Sequence, residues 1–582
     1  MKHSIWIPAA LGAAILAACG GGGDTADASA GGPAAPLSLS ISGVAATGAA
    51  IVGGAVEAKC SAGSGSATSN ADGSYTISVT SGSLPCMLKV TPIGGAALYS
   101  VATGSGASAT ANINPVTQLV VASLSGTDPV AYFAAFDSAA AATVTAAKIT
   151  EAVGSVKTTL AAAGVDLGTI DVLSGTLTAA SANSSGNAYD QALDALAGKL
   201  ASAGTTLADL TATVAATSTT ATANTGTVTA TSGTPSLPAD LLLKTAAANC
   251  PALRSGIYRV IHPLAGMSLA DQHGKITIDA ATLAIVNDDG SPGTWVANGT
   301  CRYLDDNGKS DIVVSQAGVI VARYIDTDTT PNTFKIALAF PEQAHTLAEL
   351  EGSWNTIGLQ HAASGSTYYG SAATGTFSAT GTLSTVSACE DASTWSVAAC
   401  VTETSGFPTL RVNAAGGFDV VDPDSSVNGR TFAYRAGGGE LMMVNVDGDG
   451  SFDVRTRKRA GDMPAVGRVN TSWDVFAYSN NQLLSIQALS ESTNTVTAID
   501  TTNGSFARLA KSVGGTDDHS ETVLVNSPRD GYNFRAAASA LAADGTTVTI
   551  PEWTNLGLRG MGVSAQTRAG QKRFLFSVQQ PS

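Results

Sequence analysis

The chain has 582 residues, more than one hydrophobic core usually organises, so several folded units are expected. With 63 glycines, only 13% charged and 5% aromatic residues, and long stretches of Ala, Ser, Thr and Gly, the composition favours strands, turns and spacers over large helical cores. A formal charge of -15 repels phosphate backbones and anionic lipid headgroups, and with no long basic face to offset it no nucleic-acid partner is expected.

Met1-Lys2-His3 precede an apolar run over residues 5–18, too short for a membrane-spanning helix and of the length of a signal-peptide hydrophobic segment. The run ends in Leu16-Ala17-Ala18-Cys19, which resembles the lipobox of bacterial lipoproteins. That resemblance implies removal of residues 1–18 and acylation of the Cys19 thiol, several acyl chains together giving stable membrane anchoring. A secretory signal with a chance cysteine is the alternative, but the glycines at 20–23 open a flexible tether over residues 19–36. By the sorting rules of such lipoproteins, Gly20 after the cysteine implies the outer membrane, with periplasmic and surface exposure both open. Of the seven cysteines the other six form an even set, most simply bridged as Cys60 with Cys86, Cys250 with Cys301 and Cys389 with Cys400. No C-x-x-C spacing with nearby histidines suggests a metal site instead.

Residues 37–121 alternate in short runs such as Tyr75-Thr76-Ile77-Ser78-Val79, separated by Gly and Asn-Ala-Asp-Gly turns, and predict a small β-sandwich. Ala55-Val56-Glu57-Ala58 followed by Asn70-Ala71-Asp72-Gly73-Ser74-Tyr75-Thr76-Ile77 resembles the carboxypeptidase-regulatory-like (transthyretin-like) fold, which implies an accessory module. After Asn114-Pro115-Val116-Thr117 the period changes. A helical spacer bundle is expected over 128–216, with helices opening at Asp128-Pro129, running over 146–163 and 188–203, and a shorter piece at Leu207 and Leu210. Tyr189, Ala192, Leu193, Leu196 and Leu200 form one core stripe rather than a ligand pocket. Residues 217–246 contain a Thr/Ala/Ser-rich linker.

Residues 249–582 predict a mainly β protein whose largest part is a repeated all-β region. Gly256-Ile257-Tyr258 and Gly352-Ser353-Trp354 open two copies of about 100 residues. Thr282-Leu283, Val286 and Thr294-Trp295 match Thr382-Leu383, Val386 and Thr394-Trp395, with Cys301 and Cys400 following. Residues 314–318 match 412–416, and Thr333-Phe334 matches Thr431-Phe432. A third, diverged copy begins near Trp473. Leu350-Glu351-Gly352-Ser353-Trp354 is similar to the opening of lipocalin-like barrels, which implies a tryptophan closing one barrel end and a hollow for an apolar ligand. Tandem barrel-like or sandwich units are expected, with a propeller as the alternative. Trp295, Trp354, Trp395 and Trp473 read as core plugs rather than ligand platforms.

Chemistry is sparsely signalled. No Gly-x-Ser-x-Gly elbow occurs, and His262, His273, His345, His361 and His519 are scattered, so no catalytic residue is assigned and an envelope hydrolase is the remotest reading. Asp305, Asn307 and Asp311, and Asp447, Asp449 and Asp453, lie in Gly-containing loops that resemble calcium loops; lacking the bidentate Glu, they also read as ion-free hairpin turns, and no other cofactor is expected. Arg455, Arg457, Lys458 and Arg459 read as a solvated edge strand rather than an anion site. The function expected is binding or structural work by a membrane-anchored envelope lipoprotein, its partner an envelope protein or a glycan, with carriage of a small apolar ligand as the alternative.

Overall fold

The computed structural model describes residues 38–181, 185–222, 237–263, 268–326, 333–361, 368–390, 400–479, 485–486, 489–512, 518–542, 545–558, 560–568 and 571–580. Cys19, with the rest of the signal and tether, and Trp395 lie outside them.

Strands Ser38–Val44, Ser74–Thr80 and Ser108–Thr110 make one sheet, and Ala55–Ala62, Ser64–Thr68, Ser83–Thr91 and Leu98–Ala102 the other. Period-two alternation turns Tyr75, Ile77 and Val79 inward, onto Val56, Ala58, Leu88 and Val90 of the facing sheet. Cys60 and Cys86 stand opposite each other on adjacent strands and are bridged. Leu98–Ala102 is buried along its whole length because helices cover its second face, where Met87, Tyr99 and Val101 join the helical core.

The helices begin earlier than the sequence pattern suggests. Residues 115–121, expected at the end of the sandwich, form most of helix Pro115–Ser125. Asn114 Oδ1 accepts the Val116 and Thr117 N–H groups at 2.9 and 3.0 Å, and Thr117 Oγ1 accepts the Asn114 N–H at 2.9 Å. This capping box, with proline at the first helical position, fixes the start. Val116, Leu119, Val120 and Val121 are all fully buried, so the helix lacks the polar face that would have shown its period. Helices Ala146–Ala162, Ala188–Ser202 and Leu207–Thr222 share its core.

Leu207–Thr222 is a full helix rather than a short piece, and it takes in residues 217–222 that composition assigned to the linker. Where the chain resumes at Leu237, Ala239 and Leu243 enter the helical core while Leu237, Leu241 and Leu242 enter the core of the barrels. Buried leucines, not composition, decide the fate of that end of the linker.

Beyond it stand three antiparallel barrels rather than sandwiches or a propeller. The first runs through eight strands from Gly256–Ile261 to Thr333–Pro341, which pair and close it. The second runs through nine strands, with Gly352–His361 paired to the last, Phe452–Arg457; it is only partly closed, since Cys400–Glu403 and Thr409–Val412 are its two edges and a single bridge from Thr382 to Thr409 crosses beside them. The third runs from Val469–Ser479 to Gln571–Gln579, again paired. The repeat is imperfect: Thr333–Pro341 closes the first barrel, whereas Val427–Arg435, which carries the matching Thr431-Phe432, is followed by two further strands before closure. Bridges link Cys250 to Cys301 beside the first barrel and Cys389 to Cys400 across neighbouring strands of the second.

One apolar cluster runs between the barrels. Phe340 of the first stacks on Tyr434 of the second, ring centroids 5.9 Å apart, and Phe452 of the second meets Phe574 and Phe576 of the third at 5.1 and 6.2 Å. Each such pair contributes about 0.5–1.5 kcal/mol beyond the area it buries. Arg254 ties the barrels to the helices. Its guanidinium, buried without a carboxylate partner, donates to the carbonyls of Ala203, Leu242 and Lys244 at 2.9, 3.2 and 2.9 Å, capping the C-terminal ends of two helices.

Candidate ligand cavity

The three barrel interiors differ in what their inward rows carry. In the first, Arg259 and Phe340 point outward onto Phe432 and Tyr434 of the second barrel, so the alternate row, with Tyr258, Val260, Ile278, Tyr303, Ile312 and Val314, faces in and fills the space. Trp295 packs on Tyr303 within that row.

In the second barrel Trp354 is 1% exposed and closes one end, donating from Nε1 to Leu350 O at 2.8 Å. Arg457 lies over the indole, 4.3 Å from the ring centroid, and donates to the carbonyls of Glu349, Leu350 and Glu351 in and after the helical turn Leu347–Leu350. The opposite end is polar. Asn445 Nδ2 donates to Asp447 and Asp453, at 3.0 and 3.3 Å, and Arg455 holds Asp453 at 2.5 and 2.9 Å. Burial and the Asp453 charge push the Asp447 carboxyl up to about 7. The solvated edge strand expected at 455–459 is therefore overturned: Phe452–Arg457 lies between two strands, and Arg455 and Arg457 serve the interior because Asp453 and Trp354 stand on the same inward rows.

The calcium loops gather only in part. Asp305 accepts the Lys309 N–H at 2.8 Å and the Ser310 hydroxyl at 2.8 Å, Asn307 is exposed, and Asp311 is held by Arg302 and Arg323 at 3.0 and 2.7 Å. Asp447 and Asp453 meet through Asn445, but Asp449 caps its own turn, accepting the Ser451 N–H at 2.8 Å. Among the described residues no group of three or more His, Cys, Asp or Glu side chains converges as metal ligands do. The histidines sit apart: His262 on Tyr324, His273 on Phe432, His345 on Gln343, His361 at the end of a second-barrel strand, His519 on Glu521.

The third barrel is hollow. Its outward row, Trp473, Val475, Val563, Phe574 and Phe576, belongs to the shared core, so Trp473 plugs no barrel end. Its inward row lines a cavity of about 660 Å³ that opens to solvent on one side. Ser472 and Asp474, Ser492 and Asn494, Asn533, Asn555, Gln566 and Ser577 line it, and the hairpin Ala538–Leu541 with Thr547–Ile550 adds Val548 and Thr549. At one end Glu521 joins Arg508 (2.5 Å), Arg535 and His519 (3.3 Å), and both guanidiniums lie over Trp553, 5.3 and 5.4 Å from its centroid. Burial would raise the Glu521 carboxyl, but the Arg508 charge, the His519 hydrogen bond and the Arg535 charge hold it well below the usual range. Asp474 accepts the Ser577 hydroxyl at 2.6 Å, and burial pushes its carboxyl up. Inward Gly557 leaves open space, since a Cβ there would meet nothing within 4 Å.

Of these cavity residues the sequence reading named only His519, among the scattered histidines. Their signal is the period-two polar row Asn470, Ser472, Asp474 and Ser490, Ser492, Asn494, which alternation alone assigns to solvent.

No family model matches the sequence, and no curated protein does. Among solved structures, the chain is similar to isotype 1 transferrin binding protein B from serogroup B Neisseria meningitidis, at 7% identity and a TM-score of 0.19, over 53% of this chain and 66% of that one. It is also similar to a DUF3598-family protein of unknown function from Nostoc punctiforme, at 10% identity and a TM-score of 0.15, over 41% of this chain and 100% of that one. A surface lipoprotein matches at 9% identity and a TM-score of 0.15, over 39% and 98%. Scores this low carry no argument for fold or function.

Proposed function

We propose that this chain is a non-catalytic binding protein of the cell envelope, anchored through a lipid on Cys19, whose third barrel holds a small polar ligand. The observation that carries the ligand reading is the cavity of about 660 Å³, open to solvent on one side and of a size typical of small-molecule sites, with hydroxyl and amide side chains from most of its strands. The anchor rests on Leu16-Ala17-Ala18-Cys19; among the described residues no helix is long and apolar enough to cross a bilayer. The sandwich and helices act as the stalk, in keeping with the accessory role implied by the carboxypeptidase-regulatory-like resemblance.

An apolar cargo fits poorly. The first barrel is filled by its own side chains, and the lining of the third would lose its hydrogen bonds to water against a hydrocarbon surface. Hydrolysis is also disfavoured. The deepest carboxylates are already engaged, Glu521 by two arginines and Asp474 by serine hydroxyls, which leaves neither free to take a proton from water.

Native mass spectrometry of the mature protein released from detergent is the test. A small polar molecule carried through purification and lost in Gly557→Trp supports the reading; retained lipid or another apolar molecule as the sole cargo overturns it.

A further inference from the structure

Resting on the reading above, the balance of groups inside the third barrel narrows the chemistry of what it holds. We infer that the cavity takes a neutral, polyhydroxylated molecule, that is, a short uncharged saccharide.

The charged side chains on the inward rows are Arg508, Arg535, Glu521 and Asp474, so the formal charge of the interior cancels while the chain as a whole stands at -15. The deep charges are satisfied within the wall. Glu521, with a side chain 1% exposed, receives Arg508 and Arg535, and Asp474 receives Ser577. A charged ligand would shed its water on entry and find no uncompensated counter-charge in exchange.

The uncharged lining has the opposite character. Ser472, Ser492, Asn494, Asn533, Asn555 and Gln566 offer donors and acceptors side by side. A sugar hydroxyl both donates and accepts, so a ring carrying several can satisfy such walls from any side. Phe506 and Leu575 interrupt the polar rows and provide surface for the C–H faces of sugar rings.

The experiment is saturation-transfer NMR and calorimetry on the full mature protein. The neutral probes are cellobiose, maltotriose and N,N′-diacetylchitobiose, the acidic probe is digalacturonate, and the zwitterionic probe is glycine betaine. At least one neutral saccharide should bind, and its affinity should fall at least ~10-fold in both Gly557→Trp, which fills the open space, and Asn555→Leu, which removes an amide from the wall. Thermal melts and the far-UV spectrum of both variants verify that they fold. Binding of the acidic or zwitterionic probe alone would overturn the neutral-saccharide class while leaving the polar-cavity reading standing. Absence of binding by all probes would overturn the inference, and neutral binding unchanged in both variants would overturn the cavity reading with it.

Discussion

The Tyr532 hydroxyl of the third barrel lies 2.8 Å from the Thr356 carbonyl oxygen of the second and accepts the Thr356 N–H at 3.0 Å. The same hydroxyl lies 2.7 Å from Ala373 O on the neighbouring strand, so one side chain reads the backbone of two paired strands in another barrel. Tyr532→Phe keeps the packing and strands these backbone groups. It should cost about 1–3 kcal/mol in urea denaturation. An unchanged midpoint would show that the contact does not hold the barrels together.

Arg254→Met should loosen the helices from the barrels, because the carbonyls of Ala203, Leu242 and Lys244 lose their shared donor while the aliphatic stem is kept. A loss of about 1–3 kcal/mol is expected, with calorimetric unfolding splitting into two transitions. A single transition at the wild-type temperature would rule this out.

Glu521→Gln removes the one carboxylate shared by Arg508 and Arg535, leaving two guanidiniums facing each other in a buried wall. Breaking such a pair costs about 3–5 kcal/mol. If the variant folds, its cavity becomes cationic and should acquire affinity for digalacturonate that the wild type lacks, read by calorimetry.

The pH response has two components of opposite sign. Burial lowers His262 and His273 from 6.5 to about 4. Between those values the unfolded chain binds protons that the folded chain refuses, so stability falls as pH drops from 6.5 towards 4. Asp447 is raised from 3.8 to about 7, so in that window the folded chain keeps a proton the unfolded chain has released, and its contribution declines as pH rises. His262→Gln with His273→Gln should flatten the melting temperature below pH 6.5, and Asp447→Asn should gain on the wild type as pH rises from 4 to 7. Parallel curves for all three proteins would refute both assignments.

Cys19→Ala should move the protein from the membrane fraction to the soluble fraction, followed by immunoblotting after fractionation, with loss of incorporated radiolabelled palmitate. Undiminished membrane association would count against acylation.

How much of this was legible in the sequence depended on which side of each element meets water. The mainly β class, the N-terminal sandwich and the Gly-aromatic repeat were plain, since Tyr75, Ile77 and Val79 alternate with solvent-facing residues and Trp354 opens a unit as expected. The helix Pro115–Ser125 was hidden because Val116, Leu119, Val120 and Val121 are buried on several sides. The cavity was hidden for the inverse reason. In the third barrel both rows leave bulk water, and a strand such as Val469–Ser479 looks the same whether its polar row lines a hollow or faces the solvent. Only the neighbours packed on Trp473 and Phe576 decide between the two, and they belong to other strands and barrels, as Phe452 of the second barrel does for Phe576.

Because Trp473, Phe574 and Phe576 look outward, the third barrel is a vessel whose walls are held up from outside. Cut free, it would show that greasy exterior to water while its wet interior offered nothing to collapse upon. The smallest portable piece with a working chamber is thus the block of three barrels, and any attempt to graft the chamber elsewhere must carry its neighbours along.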